Sequence, residues 1–206
     1  MVKVIAEKIA KAMKEISVAE FFEKNRHLLG YENPTKSLFT VVKELVDNAI
    51  DACVESGILP KIKVMIKPVG EDRYKVRVED NGPGIHPKKV PIALGKFLVG
   101  SKFYRLRQSI GTQGIGAKGA ILYAQLTTGK PTVIKSKIAP NKPANRFLIH
   151  IDINRNEPEV IESEEIEWPE KEHGTRIEME LKAKYIEKRA SVSEYIKQTA
   201  VVNPHA

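Results

Sequence analysis

The sequence predicts an α+β domain, a two-layer sandwich in which a mixed, mainly antiparallel sheet carries helices on one face. Helical periodicity is concentrated in the first third of the chain, and period-two alternation dominates the later part. One early alternating stretch puts lysine and arginine at every second position, so that one face of its hairpin is wet. With 206 residues and 42% apolar side chains, there is enough chain for one folded core and too little for several.

Each element has its own signal. Ile5, Ile9, Ala12, Met13 and Ile16 recur at helical spacing over residues 3–16. Ser17 with Glu20 is a capping-box pattern that restarts a helix, which ends near Gly30. Pro34 or Thr35 opens a long helix to about Ser56, with Gly57 as its stop. Ile62, Val64 and Ile66 alternate with lysines. After Gly70-Glu71-Asp72, the residues Tyr74, Val76 and Val78 alternate with Arg73, Lys75 and Arg77, which makes a hairpin. Residues 87–98 predict a short helix, and 99–113 have neither period and predict a long loop. A helix follows from Gly114–Gly116 to about Leu126, then strands at 132–138, 146–154, 159–167 and 175–181, and a last helix at 191–201.

Composition removes several function classes. Apolar stretches are broken by charge within a few residues, and Met1-Val2-Lys3-Val4 opens a charged amphipathic segment instead of a signal peptide, so a cytoplasmic domain with no membrane partner is expected. Cys53 is the only cysteine, which excludes a disulfide framework and a cysteine-based zinc site and reads as a small buried apolar residue. The five histidines are scattered, and no G-x-S-x-G elbow occurs. The formal charge of +8 is unevenly spread: −1 over residues 1–60, +14 over 61–150 and −5 over 151–206. No carboxylate lies between Asp80 and Asp152, so that tract suits a polyanion, either nucleotide phosphates or a nucleic acid backbone.

Three segments carry chemistry. On the 34–56 helix, Glu44, Asp47, Asn48, Asp51 and Glu55 share one arc, opposite Val42, Leu45, Val46, Ala49, Ile50 and Cys53. A solvated polar face would explain the arc, but Asn48 is a poor helix former one turn from Glu44, where both could meet one ligand. Asp80-Asn81-Gly82-Pro83-Gly84 follows a strand and would hold a carboxylate at the sheet edge. An ionised carboxylate only accepts hydrogen bonds, so it suits the amino group of adenine and repels the carbonyl of guanine. Gly111-Thr112-Gln113-Gly114-Ile115-Gly116-Ala117-Lys118-Gly119 contains a formal G-x-G-x-x-G. It lacks the apolar strand and downstream acid of a dinucleotide fold, the accompanying motifs of a protein kinase, and the lysine spacing of a Walker loop. What remains is an anion site of bare backbone N–H groups at a helix N-terminus, with the charge of Lys118 added.

In order and spacing these segments resemble the GHKL ATPase superfamily, shared by gyrase-type topoisomerases, heat-shock chaperones, MutL-type repair proteins and histidine kinases. Residues 44–52 look like its N box, 80–84 its first glycine box and 111–119 its second, while His173-Gly174-Thr175 is similar to its last box. The flanking text resembles the B subunits of the topoisomerase VI (type IIB) family: residues 15–22, Gly57-Ile58-Leu59-Pro60, Ser101-Lys102-Phe103, Tyr123-Ala124-Gln125 and Asn203-Pro204-His205-Ala206.

The resemblance implies a set of roles. Glu44 orients and deprotonates the attacking water, Asn48 ligates Mg²⁺, and Asp80 reads adenine with help from Thr175. Ser101, Lys102 and the run Gly111, Thr112, Gln113, Gly114, Ile115, Gly116, Ala117 and Lys118 wrap the phosphates of ATP. It further implies an ATP-dependent homodimer with residues 1–33 as a strap and 34–206 as the ATPase domain. The family's partners are double-stranded DNA and the A subunit of topoisomerase VI, which carries the DNA-cleaving tyrosine, in a heterotetramer. B subunits of that family continue into a helical insert and a transducer domain that supplies a lysine to the terminal phosphate. The expectation is therefore an isolated ATPase domain that binds Mg·ATP and turns over slowly. Lysines outside the lid, such as Lys88, Lys89 and Lys142, are left as candidates for DNA contact. The alternatives are another ATP-operated clamp of the superfamily, of the MutL or heat-shock type, and a basic nucleic-acid-binding module indifferent to Glu44 and Asn48.

Overall fold

The computed structural model describes residues 17–99, 115–187 and 191–206. Ser101, Lys102 and Gly111 to Gly114 of the expected phosphate lid, and the 3–16 helix, lie outside the described residues.

The Ser17 hydroxyl accepts from the backbone N–H of Glu20 at 3.2 Å and starts α1 (Val18–Lys24). A break at Asn25 separates α1 from the short α2 (Arg26–Leu29), so the single helix expected here is two, and Gly30 ends the pair at φ 85°. Asn33 caps α3 (Pro34–Glu55) by accepting from the Lys36 N–H at 2.9 Å, with Pro34 in the first turn. The hairpin is β1 (Lys63–Gly70) and β2 (Arg73–Glu79). The expected 87–98 helix is shorter, a 3₁₀ turn at Pro87–Lys89 and then α4 (Val90–Gly95). Next come α5 (Gly116–Thr128), β3 (Thr132–Lys137), β4 (Ala144–Asp152), β5 (Glu157–Ile166), β6 (Gly174–Lys182) and α6 (Val192–Val202). Every strand starts within two residues of its expected place.

The strands form one six-stranded sheet in the order β1-β2-β6-β3-β4-β5, and every recorded pairing is antiparallel. Register separates its two faces by chemistry. One row reads Val64, Val78, Ile177, Ile134 and Phe147 across five strands, with Ile66, Val76 and Met179 beside it. One residue along, the row reads Lys63, Glu79, Arg176, Lys135, Arg146 and Glu164 across all six. A slip of one residue would exchange apolar and charged rows, so burial specifies the register strongly.

Helices cover the apolar face. Val41, Val42, Leu45, Val46, Ala49 and Ile50 of α3 are buried with Ile121, Leu122 and Ala124 of α5 against Val76, Ile134, Ile149, Met179 and Leu181 of the sheet. Phe22 and Tyr31, from the segment read as a strap, belong to this same core, with the Tyr31 ring stacked on Tyr123 at 5.0 Å. Among the described residues no helix is long and apolar enough to cross a membrane.

Candidate functional site

The site lies along α3. Glu44 and Asn48 are one turn apart, and the Asn48 Nδ2 donates to the Glu44 backbone carbonyl at 2.7 Å. That bond orients the amide and leaves Oδ1 as the acceptor directed elsewhere. The Glu44 carboxylate lies against the first residue of α5: a Cβ on Gly116 would overlap its Oε2. Ile115, which precedes α5, makes no side-chain cap, so the first-turn N–H groups of α5 remain available to an anion beside Glu44. Burial pushes the Glu44 carboxyl up, Lys43 at 3.7 Å opposes it, and Asp47 adds to the rise.

At the other end of α3 stands the turn after β2. Asp80 Oδ1 accepts from the backbone N–H groups of Gly82 at 2.8 Å and Thr175 at 3.0 Å, which fixes the carboxylate and leaves Oδ2 uncommitted to either. Asp80 is 8% exposed, and burial raises its pKa against the pull of those two N–H groups. Thr175 follows Gly174, whose φ of 142° and approach to the Asp80 carbonyl leave no room for a Cβ. His173 Nδ1 meets the Gly82 carbonyl at 2.8 Å, and Asn81 holds the chain before β1 through the Lys61 N–H at 2.7 Å and the Leu59 carbonyl at 3.1 Å. A Cβ on Gly82 would sit 3.5 Å from both Ala52 and Cys53, so this turn lies over the C-terminal half of α3. Cys53 is fully buried, as expected of a small apolar residue.

From Glu44 to Cys53 the helix rises about 14 Å. The site therefore runs from the fixed carboxylate of Asp80 at one end to Glu44 and Gly116 at the other, with Asn48 between them.

The structure adds Tyr195 and Lys171, which the sequence alone does not single out, and gives Asp47, Asp51 and Lys118 surroundings that it does not reveal. Asp47 and Asp51 are only 4% and 6% exposed, so these two members of the polar arc of α3 are buried, while Glu55 at its end is exposed. The C-terminal helix covers Asp47: the Tyr195 hydroxyl donates to Asp47 Oδ1 at 2.5 Å, its ring packs edge-on against Phe39, and Lys43 pairs with Asp47 Oδ2 at 2.8 Å. The Lys43–Asp47 pair is legible as an i, i+4 spacing; Tyr195 is 148 residues away and is not. Lys171 donates to the Asp80 carbonyl at 3.1 Å and pairs with Glu79 at 2.9 Å, stiffening the end of β2. Lys118, expected at the phosphates, is 4% exposed and donates to the Val99 carbonyl, and burial lowers its pKa to about 8. Among the described residues no group of three or more His, Cys, Asp or Glu side chains could hold a metal ion.

A family model described as histidine kinase-, DNA gyrase B- and HSP90-like ATPase matches residues 33–185. The chain belongs to this ATPase family. The ATPase is 51% identical over 203 residues to the B subunit of type 2 DNA topoisomerase 6 from Methanococcoides burtonii, covering 98% of this chain and 32% of that protein. To the protein of the same name from Archaeoglobus fulgidus it is 54% identical over 196 residues, or 94% of this chain and 32% of that one. The chain thus spans about a third of the length of these curated relatives. Among solved structures, the 43K ATPase domain of Thermus thermophilus gyrase B, in complex with an aminocoumarin, superposes with a TM-score of 0.51 at 16% identity, over 87% of this chain and 43% of that one. At that identity the likeness concerns the fold. Membership of the ATPase family implies ATP binding.

Proposed function

We propose that this ATPase is the ATP-binding and ATP-hydrolysing part of a topoisomerase VI B subunit, an ATP-gated dimerising clamp that drives one DNA duplex through a break made by its partner, the A subunit. The arrangement of Glu44 and Asn48 on α3, with Asp80 in the turn that lies over its C-terminal half, supports the nucleotide chemistry. The identity to the B subunits over nearly the whole chain supports the wider assignment.

Asp80 Oδ2 accepts from the adenine amino group, and the same oxygen repels a guanine carbonyl. Thr175 assists through the backbone N–H that holds Oδ1. The phosphates then run toward the uncapped start of α5, where Ile115, Gly116 and Ala117 offer backbone and where Ser101, Lys102, Gly111, Thr112, Gln113 and Gly114 would complete the lid. Lys118 would add its charge on leaving the Val99 carbonyl. Glu44 is the general base: it orients a water and takes its proton, and the burial that raises its pKa makes the carboxylate the better acceptor.

The donor set fits Mg²⁺, because this ion takes few protein ligands and completes its octahedron with phosphate oxygens and water, and Asn48 Oδ1 is the oxygen free to serve. Bound there, the ion would neutralise charge on the phosphates. Residues 1–33 would act as the strap across a second copy, residues 34–206 being the ATPase domain, although Phe22 and Tyr31 of that segment anchor in this chain's own core.

Glu44→Ala and Asn48→Ala, measured side by side for Mg·ATP binding and hydrolysis, test the reading. Glu44→Ala should bind Mg·ATP and lose hydrolysis, and Asn48→Ala should lose metal-dependent binding. Negligible effects from both would return this face of α3 to a purely structural role.

A further inference from the structure

The sheet face turned away from the helices is assembled at a cost. Register places Lys67 directly opposite Lys75 and Arg73 directly opposite Lys182, and sets Arg176, Lys135 and Arg146 side by side on three successive strands. Like charges directly opposed on an antiparallel pair are destabilising. Carboxylates relieve part of the repulsion. Glu178 meets Arg77 at 2.5 Å and Lys75 at 3.3 Å, Glu180 meets Lys130 at 2.6 Å and Arg73 at 3.6 Å, and Glu79 meets Arg176 at 2.5 Å, whose guanidinium also lies over the buried Trp168 ring at 4.8 Å. Across β1, β2, β6 and β3, basic side chains on this face still outnumber the three carboxylates Glu79, Glu178 and Glu180 by more than two to one. Lys63, Lys67 and Lys182 are exposed, and none has an ion-pair partner among the described residues.

We propose that this face, from β1 across to β3, docks the phosphate backbone of duplex DNA at a site separate from the nucleotide site on the other side of the sheet. A polyanion removes the repulsion that the fold leaves standing, and phosphate contacts position a duplex without reading its sequence. Dimensions favour a duplex over a smaller anion. Four strands span about 14 Å and Lys63 to Lys67 about 13 Å, against a major groove about 12 Å wide, so the patch reaches both phosphate rows that flank a groove. The patch ends at β5, where Glu162 and Glu164 pair with Arg146 at 3.1 and 2.8 Å and turn the face acidic. The inference rests on the topoisomerase reading only for the choice of DNA among polyanions.

The test is fluorescence anisotropy of a labelled mixed-sequence duplex without nucleotide, titrated at several salt concentrations. The unsubstituted chain is compared with the double variant Lys67→Glu/Lys182→Glu and with Lys88→Glu/Lys89→Glu, whose lysines lie in the 3₁₀ turn outside the sheet. The sheet variant should lose DNA affinity about tenfold or more and reduce the salt slope by about two, with ATP affinity unchanged. Its thermal midpoint should hold or rise, because the new glutamates oppose Lys75 and Arg73. Glu44→Ala should bind DNA normally, so a failed ATPase assignment and a failed docking face give different results. The proposal is overturned if wild-type chain does not bind DNA, if the sheet variant binds as well as wild type, or if Lys88→Glu/Lys89→Glu loses as much. It also fails if a polyglutamate peptide competes as strongly as DNA of equal charge.

Discussion

The Glu44 carboxylate occupies the space that a Cβ on Gly116 would need. Two segments 72 positions apart in sequence are thereby pressed together, and the Glu44 carboxylate is held at the bare start of α5, where the terminal phosphate would arrive in the proposed nucleotide complex.

Gly116→Ala should therefore be a catalytic lesion more than a binding one. The methyl group must displace Glu44, and a misplacement of about 1 Å costs about 10²-fold in rate. Steady-state kinetics should show kcat falling on that scale with KM for ATP nearly kept. Undiminished kcat would mean that Glu44 is not held where hydrolysis needs it.

Asp80→Asn tests the adenine end. Asp80 faces donors on both sides: two backbone N–H groups at Oδ1 and, in the proposed complex, the adenine amino group at Oδ2. An amide must turn its NH₂ toward one of them, leaving a donor against a donor, at about 1–3 kcal/mol. Calorimetry should find ATP affinity lowered about tenfold to a hundredfold. Binding at wild-type strength would remove Asp80 from base recognition.

Tyr195→Phe removes the hydroxyl that donates to the buried Asp47. Loss of a hydrogen bond to a buried carboxylate costs about 1–3 kcal/mol, so the thermal midpoint should fall by several degrees. Since Lys43 is shared between Asp47 and Glu44, hydrolysis at saturating ATP should also slow. A stable variant of full activity would show that the C-terminal helix does not support the catalytic helix.

Lys118 carries a linkage prediction. Its pKa is depressed in the folded chain to about 8 from the ordinary lysine value of 10.5, so between these values the unfolded chain binds the extra proton. Stability from this group is present above pH 10.5 and is lost as pH falls to 8, leaving the neutral-pH protein destabilised by about 3 kcal/mol. Lys118→Met should accordingly raise the midpoint at pH 7, flatten the rise in stability between pH 8 and 10.5, and weaken ATP binding. A lower midpoint at pH 7 would contradict the burial cost.

Much of the fold is legible in the sequence because its signals are local. The Ser17 cap, the opening of α3 at Pro34, the alternation at Val64 and Ile66, and the apolar stripe of α3 depend on neighbours a few residues away, and burial then enforces what periodicity implies. The placement of Glu44, Asn48 and Asp80 is legible for a related reason: one helical turn separates the first two, and Asp80 stands in a turn whose glycines already mark it in the sequence. Lys118 differs, because its charge suggests phosphates while its position on α5 buries it beneath the Val99 carbonyl. The 87–98 segment also differs, ending in Leu98 at φ 59°, a conformation no periodicity signals.

Sequence alone sufficed for the two-layer α+β architecture, for the placing of most helices and strands, and for the basic tract of residues 61–150. Tertiary structure alone decided that Asp47 lies beneath Tyr195, that Glu44 meets Gly116, and that Lys67, Arg73, Lys135 and Arg176 stand opposite other cations. The physical reason is distance along the chain: periodicity and capping act within one or two turns, whereas strand register and helix docking join residues far apart in sequence, and they are settled by burial of the whole apolar face at once.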